Sequence, residues 1–328
     1  MGSFQNGFHF RTGAPLRAVW RQIERIATID HLSRVTKRLG HENVDVKTAS
    51  LRLQQAIELR EASASTTTLT KPLLLYYSAL NLIRGVLIAY KGDMGKPCHG
   101  LRHSKGNDIL SCSATISKEG TFTEFSKSLG VEKNDIVGRA ITLSEALSLI
   151  PEIDQDYSLL NTGIRNLVRV EIKAYFNNKT YLRYITEKVS EKEFKEKWQS
   201  MLPWLKELCI TADQPMTLEV KVPLNNEQAI SDFCRKYFIC PAELQPSAVW
   251  YDHLVWECSS YQLNRLLAYP IVLFILSNIS RYHPEMIQNA TTELTDLSFV
   301  LKSSLDAAER YFPQFMLELL LGRSCFFN

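Results

Sequence analysis

Two short patterns join residue types that could act on a charged oxygen: Asn81-Leu-Ile-Arg84 and Asn278-Ile-Ser-Arg281. Each lies toward the C-terminal end of a long apolar run, and an i to i+3 spacing on a helix puts the asparagine and its arginine on one face. A guanidinium on a core-facing helix is costly unless a carboxylate, a set of carbonyls or an anionic ligand pairs with it. Histidine follows both patterns. His99 lies in Cys98-His-Gly-Leu-Arg-His103, and His283 comes two residues after Arg281. Asn, Arg and His are the groups that orient a phosphodiester, neutralise its charge and move a proton near neutral pH. We therefore take Arg84, His99, Arg281 and His283 as candidate catalytic residues, and Asn81 and Asn278 as candidate ligand-binding residues. The same residues fit a second reading. In it the cations complement helix C-termini and the asparagines join two helices through a satisfied polar network.

Other chemistries find less support. The sequence holds no P-loop, GxGxxG, HExxH or GxSxG, which removes the usual signals for nucleotide hydrolysis, dinucleotide redox chemistry, zincins and α/β-hydrolases. Its seven cysteines are odd in number, scattered and never spaced CxxC, so they read as reduced thiols rather than a disulfide framework or zinc knuckle. No metal or cofactor is expected. The stretch Asp30 to His41 carries His31, Arg34, Arg38 and His41 and could touch phosphate, but reads first as a solvated connection between helices. Trp250 to Trp256, with Asp252 and His253, could stack a base, although aromatics at these intervals usually fill a core.

The elements that must position these residues follow from the pattern of apolar side chains. With 328 residues, 45% of them apolar, the chain can bury a sizeable core, and a net charge of +3 marks no global nucleic-acid or membrane-surface field. Leu16, Val19, Trp20, Ile23 and Ile26 recur at helical spacing over Pro15 to Ala27, and a second helix is predicted over Asp45 to Ala64. Leu69 to Tyr90, with Thr70 as N-cap and Pro72 in the first turn, is apolar nearly all round and belongs in the centre of a bundle. Leu266 to Ile279 has the same character but falls short of the roughly 20 residues that span a bilayer.

After Gly92 the texture changes. Ile109 to Ile116, Thr121 to Phe125, Leu167 to Phe176 and Met216 to Val222 alternate like strands, Thr142 to Ile150 like a short helix, and Ser190 to Leu208 like a charged helix. Helical texture returns over Asn226 to Tyr237, Ser259 to Ser280 and Thr292 to Leu321. The expected fold is mainly α. A discontinuous helical bundle, 1–100 with 226–328, carries a mixed α/β insertion at 101–225, and the helices 69–90 and 263–282 form a shared core.

The run Leu69-Thr-Lys-Pro-Leu-Leu-Leu-Tyr-Tyr-Ser-Ala-Leu-Asn-Leu-Ile-Arg84, followed by Cys98-His-Gly-Leu101, resembles the YaaC-like family of bacterial proteins. Leu267 to Pro284 looks like that family's second signature. The helical part is also similar in outline to HEPN domains, many of which are metal-independent ribonucleases of toxin–antitoxin and phage-defence systems. Arg34 and His41, with six residues between them, fit the loose HEPN pattern of Arg-x(4–6)-His; Arg84 and His99 lie fifteen residues apart, and Arg281 and His283 two. The paired Asn-x-x-Arg helices and the neighbouring histidines suggest an RNA-directed effector, an endoribonuclease in which Arg84 and Arg281 hold the phosphate, His99 or His283 acts as base or acid, and the products carry 2′,3′-cyclic phosphate without any metal. The alternative is a non-catalytic helical module that binds a protein partner or a small anion. RNA, a partner protein or a second copy of the chain are the expected partners, with no membrane. The N-terminus lacks a basic and apolar leader, so a cytoplasmic location is expected.

Overall fold

A computed structural model describes residues 8–41, 43–131, 136–160, 162, 167–174, 179–185, 190–201, 206–221, 250–255, 265–323 and 325–327. The chain is mainly helical, with small sheets. After strand β1 (Phe8–Phe10), Pro15 opens helix α1 (Pro15–Ile26), where its missing N–H is harmless, and Val19, Trp20, Ile23 and Ile26 form the buried stripe. Where the sequence suggests a connection, the chain instead forms helix α2 (Ile29–Arg38). The Thr28 side chain accepts from the His31 N–H to start it, and Leu32, Val35 and Thr36 give it a buried face. Asp45 caps α3 (Val46–Ser63), accepting from the Thr48 N–H at 2.9 Å.

Helix α4 (Lys71–Lys91) begins after Thr70, which makes no side-chain cap bond, and Pro72 occupies the first turn. It is long and apolar enough to cross a membrane on length and composition, and is mostly buried among other helices. Against α3 it comes unusually close: a Cβ built on Gly85 would lie 2.7 Å from Leu53 Cδ2. Ion pairs tie both helices to the C-terminal part of the chain, Arg60 to Glu309 at 2.9 Å and Lys71 to Asp306 at 2.9 Å.

Strands β2 (Leu101–Ser104), β3 (Ser113–Ile116) and β4 (Ala140–Thr142) form an antiparallel sheet in the order β2-β3-β4. Between them Thr121 to Phe125, expected to be a strand, lies in helix α5 (Thr121–Ser128). Its apolar residues are too few to separate a period of two from the helical one, and burial of Phe122, Phe125 and Ser126 decides for the helix. Thr142 and Glu145 form a capping box for the short helix α6 (Leu143–Leu147), and a single-turn 3-10 segment leads into α7 (Asp154–Ser158).

A separate compact unit comprises Gly163–Arg265. It holds β5 (Leu167–Ala174), β6 (Thr180–Ile185), helix α8 (Glu191–Met201), β7 (Cys209–Thr211), β8 (Thr217–Val220) and β9 (Trp250–Val255). The five strands form an antiparallel sheet in the order β7-β8-β6-β5-β9. Leu182, Phe194, Trp198 and Leu218 are buried, and Trp198 Nε1 donates to Thr211 Oγ1 at 3.0 Å. Cys209 is buried among them, which pushes its thiol up to about 12. The predicted helix Asn226 to Tyr237 and Trp256 lie outside the described residues.

The larger compact unit comprises Phe4–Thr162 and Leu266–Asn328. The boundary expected at 101 therefore differs from the one observed after Thr162, because β2, β3, β4 and α5 belong with the helices: Phe125 meets Phe312 edge-on, centroids 6.3 Å apart. At the other end the sheet takes its strand β9 from beyond 225. The last elements are α9 (Arg265–Tyr282), α10 (Pro284–Thr292), α11 (Asp296–Leu321) and β10 (Cys325–Phe327), which pairs in parallel with β1. Helices α4 and α9 belong to one core: Tyr76 meets Phe274 with centroids 5.4 Å apart, and the Ser280 hydroxyl donates to the Leu69 carbonyl.

Candidate functional site

The two asparagines sit in the same way on their helices. Asn81, 7% exposed, donates from Nδ2 to the Tyr77 carbonyl one turn back at 2.9 Å; Asn278, 6% exposed, donates to the Phe274 carbonyl at 2.8 Å. Each is then left with a fixed Oδ1, and each Oδ1 holds a guanidinium. For Asn278 it is that of Arg281, at 3.1 Å, as the spacing suggests. For Asn81 it is Arg52 of α3, at 3.2 Å, which the sequence did not single out. Arg84 turns instead toward α5, donating to Thr121 Oγ1 at 3.0 Å and to the Pro97 carbonyl at 3.4 Å. The asparagines are thus committed to aiming cations.

His99 reaches the same place from the loop after α4. Its Nδ1 lies 2.7 Å from the Tyr76 hydroxyl, and its ring stacks on Tyr76 with centroids 5.5 Å apart. Tyr77 and Phe274 complete an aromatic surround, at 6.0 and 6.2 Å. The loop is fixed by the first turn of α5, whose Thr121 and Phe122 N–H groups donate to the Cys98 and His99 carbonyls at 2.9 and 3.0 Å. That approach needs Gly120: its φ is 128°, and a Cβ there would lie 2.4 Å from the Gly100 nitrogen.

The electrostatics of the cluster are one-sided. Burial, then the charges of Arg84 and Arg281, hold the His99 imidazole below its ordinary range, so it is neutral at pH 7. Burial and the neighbouring Arg52 likewise lower the Arg84 guanidinium. Burial pushes the Tyr76 phenol up, so it stays protonated. Arg281 lies over the Tyr282 ring, 5.0 Å from its centroid. Among the described residues no carboxylate lies within ion-pair distance of Arg52, Arg84 or Arg281. Arg281 is exposed and Arg52, Arg84 and His99 are half-buried, so an anion from solvent can reach them.

His283 stands apart. It occupies the N-cap position of α10 with Nδ1 3.6 Å from Glu285 Oε1, and its charge bears on His103, whereas the charges that bear on His99 are those of Arg84 and Arg281. The fold therefore brings Asn81, Arg84, His99, Asn278 and Arg281 together and sends His283 elsewhere. Sequence reasoning missed Arg52, Tyr76, Tyr77, Thr121 and Phe274. For the tyrosines a signal existed, since a phenol inside an otherwise apolar helix needs a partner for its hydroxyl. Arg52 carried none, being one cation among many on α3.

Helical core and cation cluster together define a mainly α protein that presents unpaired guanidiniums around a neutral histidine. The chain belongs to the YaaC-like protein family, whose model matches residues 22–320. No curated protein and no solved structure matches it.

Proposed function

We propose that the cluster binds RNA phosphate and that the chain is an RNA-directed effector, a metal-independent endoribonuclease of a bacterial toxin or phage-defence system built on a HEPN-like bundle. The observation that supports this is the meeting of Arg52, Arg84 and Arg281, from three helices, beside His99 with no carboxylate partner among the described residues. Three uncompensated guanidiniums are the arrangement a phosphodiester neutralises, through charge-assisted bonds roughly twice as strong as neutral ones. In the cleavage step neutral His99 takes the proton of a ribose 2′-hydroxyl and the 2′-oxygen attacks phosphorus. The arginines hold the charge that develops, and the 5′-oxygen leaves with a proton from water. A cytoplasmic location goes with this reading, as does restraint by a partner protein or a second copy of the chain.

One observation favours the non-catalytic alternative, a module that only binds an anion. The buried Tyr76 hydroxyl has the His99 Nδ1 as its sole hydrogen-bond partner among the described residues. A phenol that donates there leaves the proton on His99 Nε2, which can then bind phosphate but not take a proton; cleavage requires the other tautomer. The test uses Arg84→Ala, Arg281→Ala and the exposed Arg17→Ala, with thermal unfolding measured beside RNA binding and RNA cleavage. Losing one charge-assisted contact should weaken binding by about 1.5–3 kcal/mol, or roughly 10- to 150-fold, with Arg17→Ala unchanged. Cleavage by the wild type to 2′,3′-cyclic ends selects the ribonuclease; binding without cleavage selects the module. A folded Arg84→Ala/Arg281→Ala protein that binds and cleaves normally would remove both.

A further inference from the structure

A second basic feature uses none of these residues. A cleft of about 400 Å³ opens between α1, α2, β1 and the end of α11. That is within the size range of small-molecule sites, roughly 300–1,000 Å³. Its floor is apolar, made by the buried Ile26, Val35 and Leu321 with the half-buried Phe8. Its rim is cationic, made by the exposed Arg25, Arg34, Arg38 and Arg323. Among the described residues none of the four has a carboxylate within ion-pair distance.

A cation in the last turn of a helix is favourable on its own, and that accounts for part of this rim. Arg38 ends α2 and its Nη2 donates to the Leu321 carbonyl at 3.0 Å, closing the end of α11. It does not account for Arg34, one turn earlier, whose only hydrogen bond among the described residues runs from Nε to the Asp30 carbonyl at 3.2 Å. Nor does it account for an open apolar floor beneath four like charges, which repel one another unless an anion lies between them.

We propose that this cleft binds a small amphipathic anion, an acyl or alkyl chain that ends in a phosphate or a carboxylate. The chain covers the apolar floor, and the headgroup takes the free guanidinium donors of the rim. A nucleotide fits the charge but not the floor. Its base edges need hydrogen-bonding partners other than guanidiniums, and among the described residues the lining offers just Gln22 and His31, whose Nδ1 already lies 3.0 Å from Thr28 Oγ1. The site stands independently of the Arg84 cluster and of the RNA reading.

The experiment titrates the full chain with octyl phosphate below its micellar concentration and follows the melting temperature. A ligand that binds only the folded protein raises it with the concentration dependence of mass action. A saturable rise is expected, with octanol and inorganic phosphate each at least tenfold weaker because each lacks half of the ligand. Octanoate identifies the headgroup: equal binding means that either anion is accepted, and weak binding assigns the phosphate. Arg25→Gln/Arg34→Gln removes two rim charges, leaves the Arg38 bond in place and should weaken octyl phosphate at least tenfold, with the circular dichroism spectrum unchanged. Arg323→Gln provides the same reading from the other side of the rim if the double variant does not fold. Arg84→Ala should leave the affinity as it is, which keeps this result separate from the RNA test. The proposal is overturned by the absence of a saturable shift, by rim variants that bind as tightly as the wild type, or by adenosine monophosphate binding as tightly as octyl phosphate.

Discussion

A histidine surrounded by cations and aromatic rings carries its neighbours in its protonation. His99 and His103 are both held below the ordinary histidine range, first by burial, then by Arg84 and Arg281 for one and by His283 for the other. The unfolded chain therefore binds more protons than the folded one between the lowered values and about 6.5, the ordinary histidine pKa. Stability should rise with pH through that window, be flat above it, and fall as pH drops from 7 toward 5. Urea unfolding across that range checks the direction, and His99→Gln/His103→Gln should flatten the slope. The Tyr76 hydroxyl is the matching test at a single bond. Tyr76→Phe removes one buried hydrogen bond and should cost about 1 kcal/mol in unfolding. It should also release His99 Nδ1, which nitrogen-15 spectra of the imidazole would register as a change of tautomer. At this scale the sequence was half legible. The Asn-x-x-Arg spacing located both asparagines and both arginines. It could not tell that Asn81 holds a guanidinium from another helix, because a hydrogen bond between residues 52 and 81 leaves no trace in local spacing.

Each helix of the site acts through what it presses against. The N-terminal turn of α5 fixes the His99 loop, and Gly120 is the point of contact. Gly120→Ala should destabilise by about 1–3 kcal/mol, the usual range for overpacking, and displace His99 more than it unfolds the bundle. Thermal melts joined to chemical shifts of His99 measure the two effects separately; a Gly120→Ala protein with unshifted His99 resonances would show that the loop is held by other means. The helices α1, α3, α4 and α9 were legible because long apolar or amphipathic runs leave no alternative period. α5 was not, since five residues of Thr-Phe-Thr-Glu-Phe satisfy either period and only the surrounding core decides. α2 was missed for a related reason: its polar exterior dominates ten residues, and the Thr28 cap that starts it looks like any threonine.

For the whole molecule, the expectation that α4 and α9 share a core rested on both being too apolar for water. The Tyr76 and Phe274 ring contact is where the two meet. Phe274 is 4% exposed, so Phe274→Ala should cost about 3–5 kcal/mol in equilibrium unfolding and disturb Tyr76 and His99 with it. A loss below 1 kcal/mol would mean the helices are held together elsewhere. The limits of the smaller unit were less legible, because a sheet strand supplied from residues 250–255 has no local signature that ties it to strands eighty residues earlier. The parallel pairing of β1 with β10 has its own consequence in time. Residues 8–10 wait for residues 325–327, and α4 waits for α9 and α11, so the helical core cannot close while the ribosome is still making its second half. Until then α4 is covered only on the face it turns to α3, and the rest of its apolar surface is open in the growing chain, a condition that favours aggregation. Such contacts between distant parts of a chain make folding slow. The cations gathered at Asn81 and Asn278 come together only once α9 has been made and docked on α4, so an activity that depends on both is silent in every growing chain that still lacks α9.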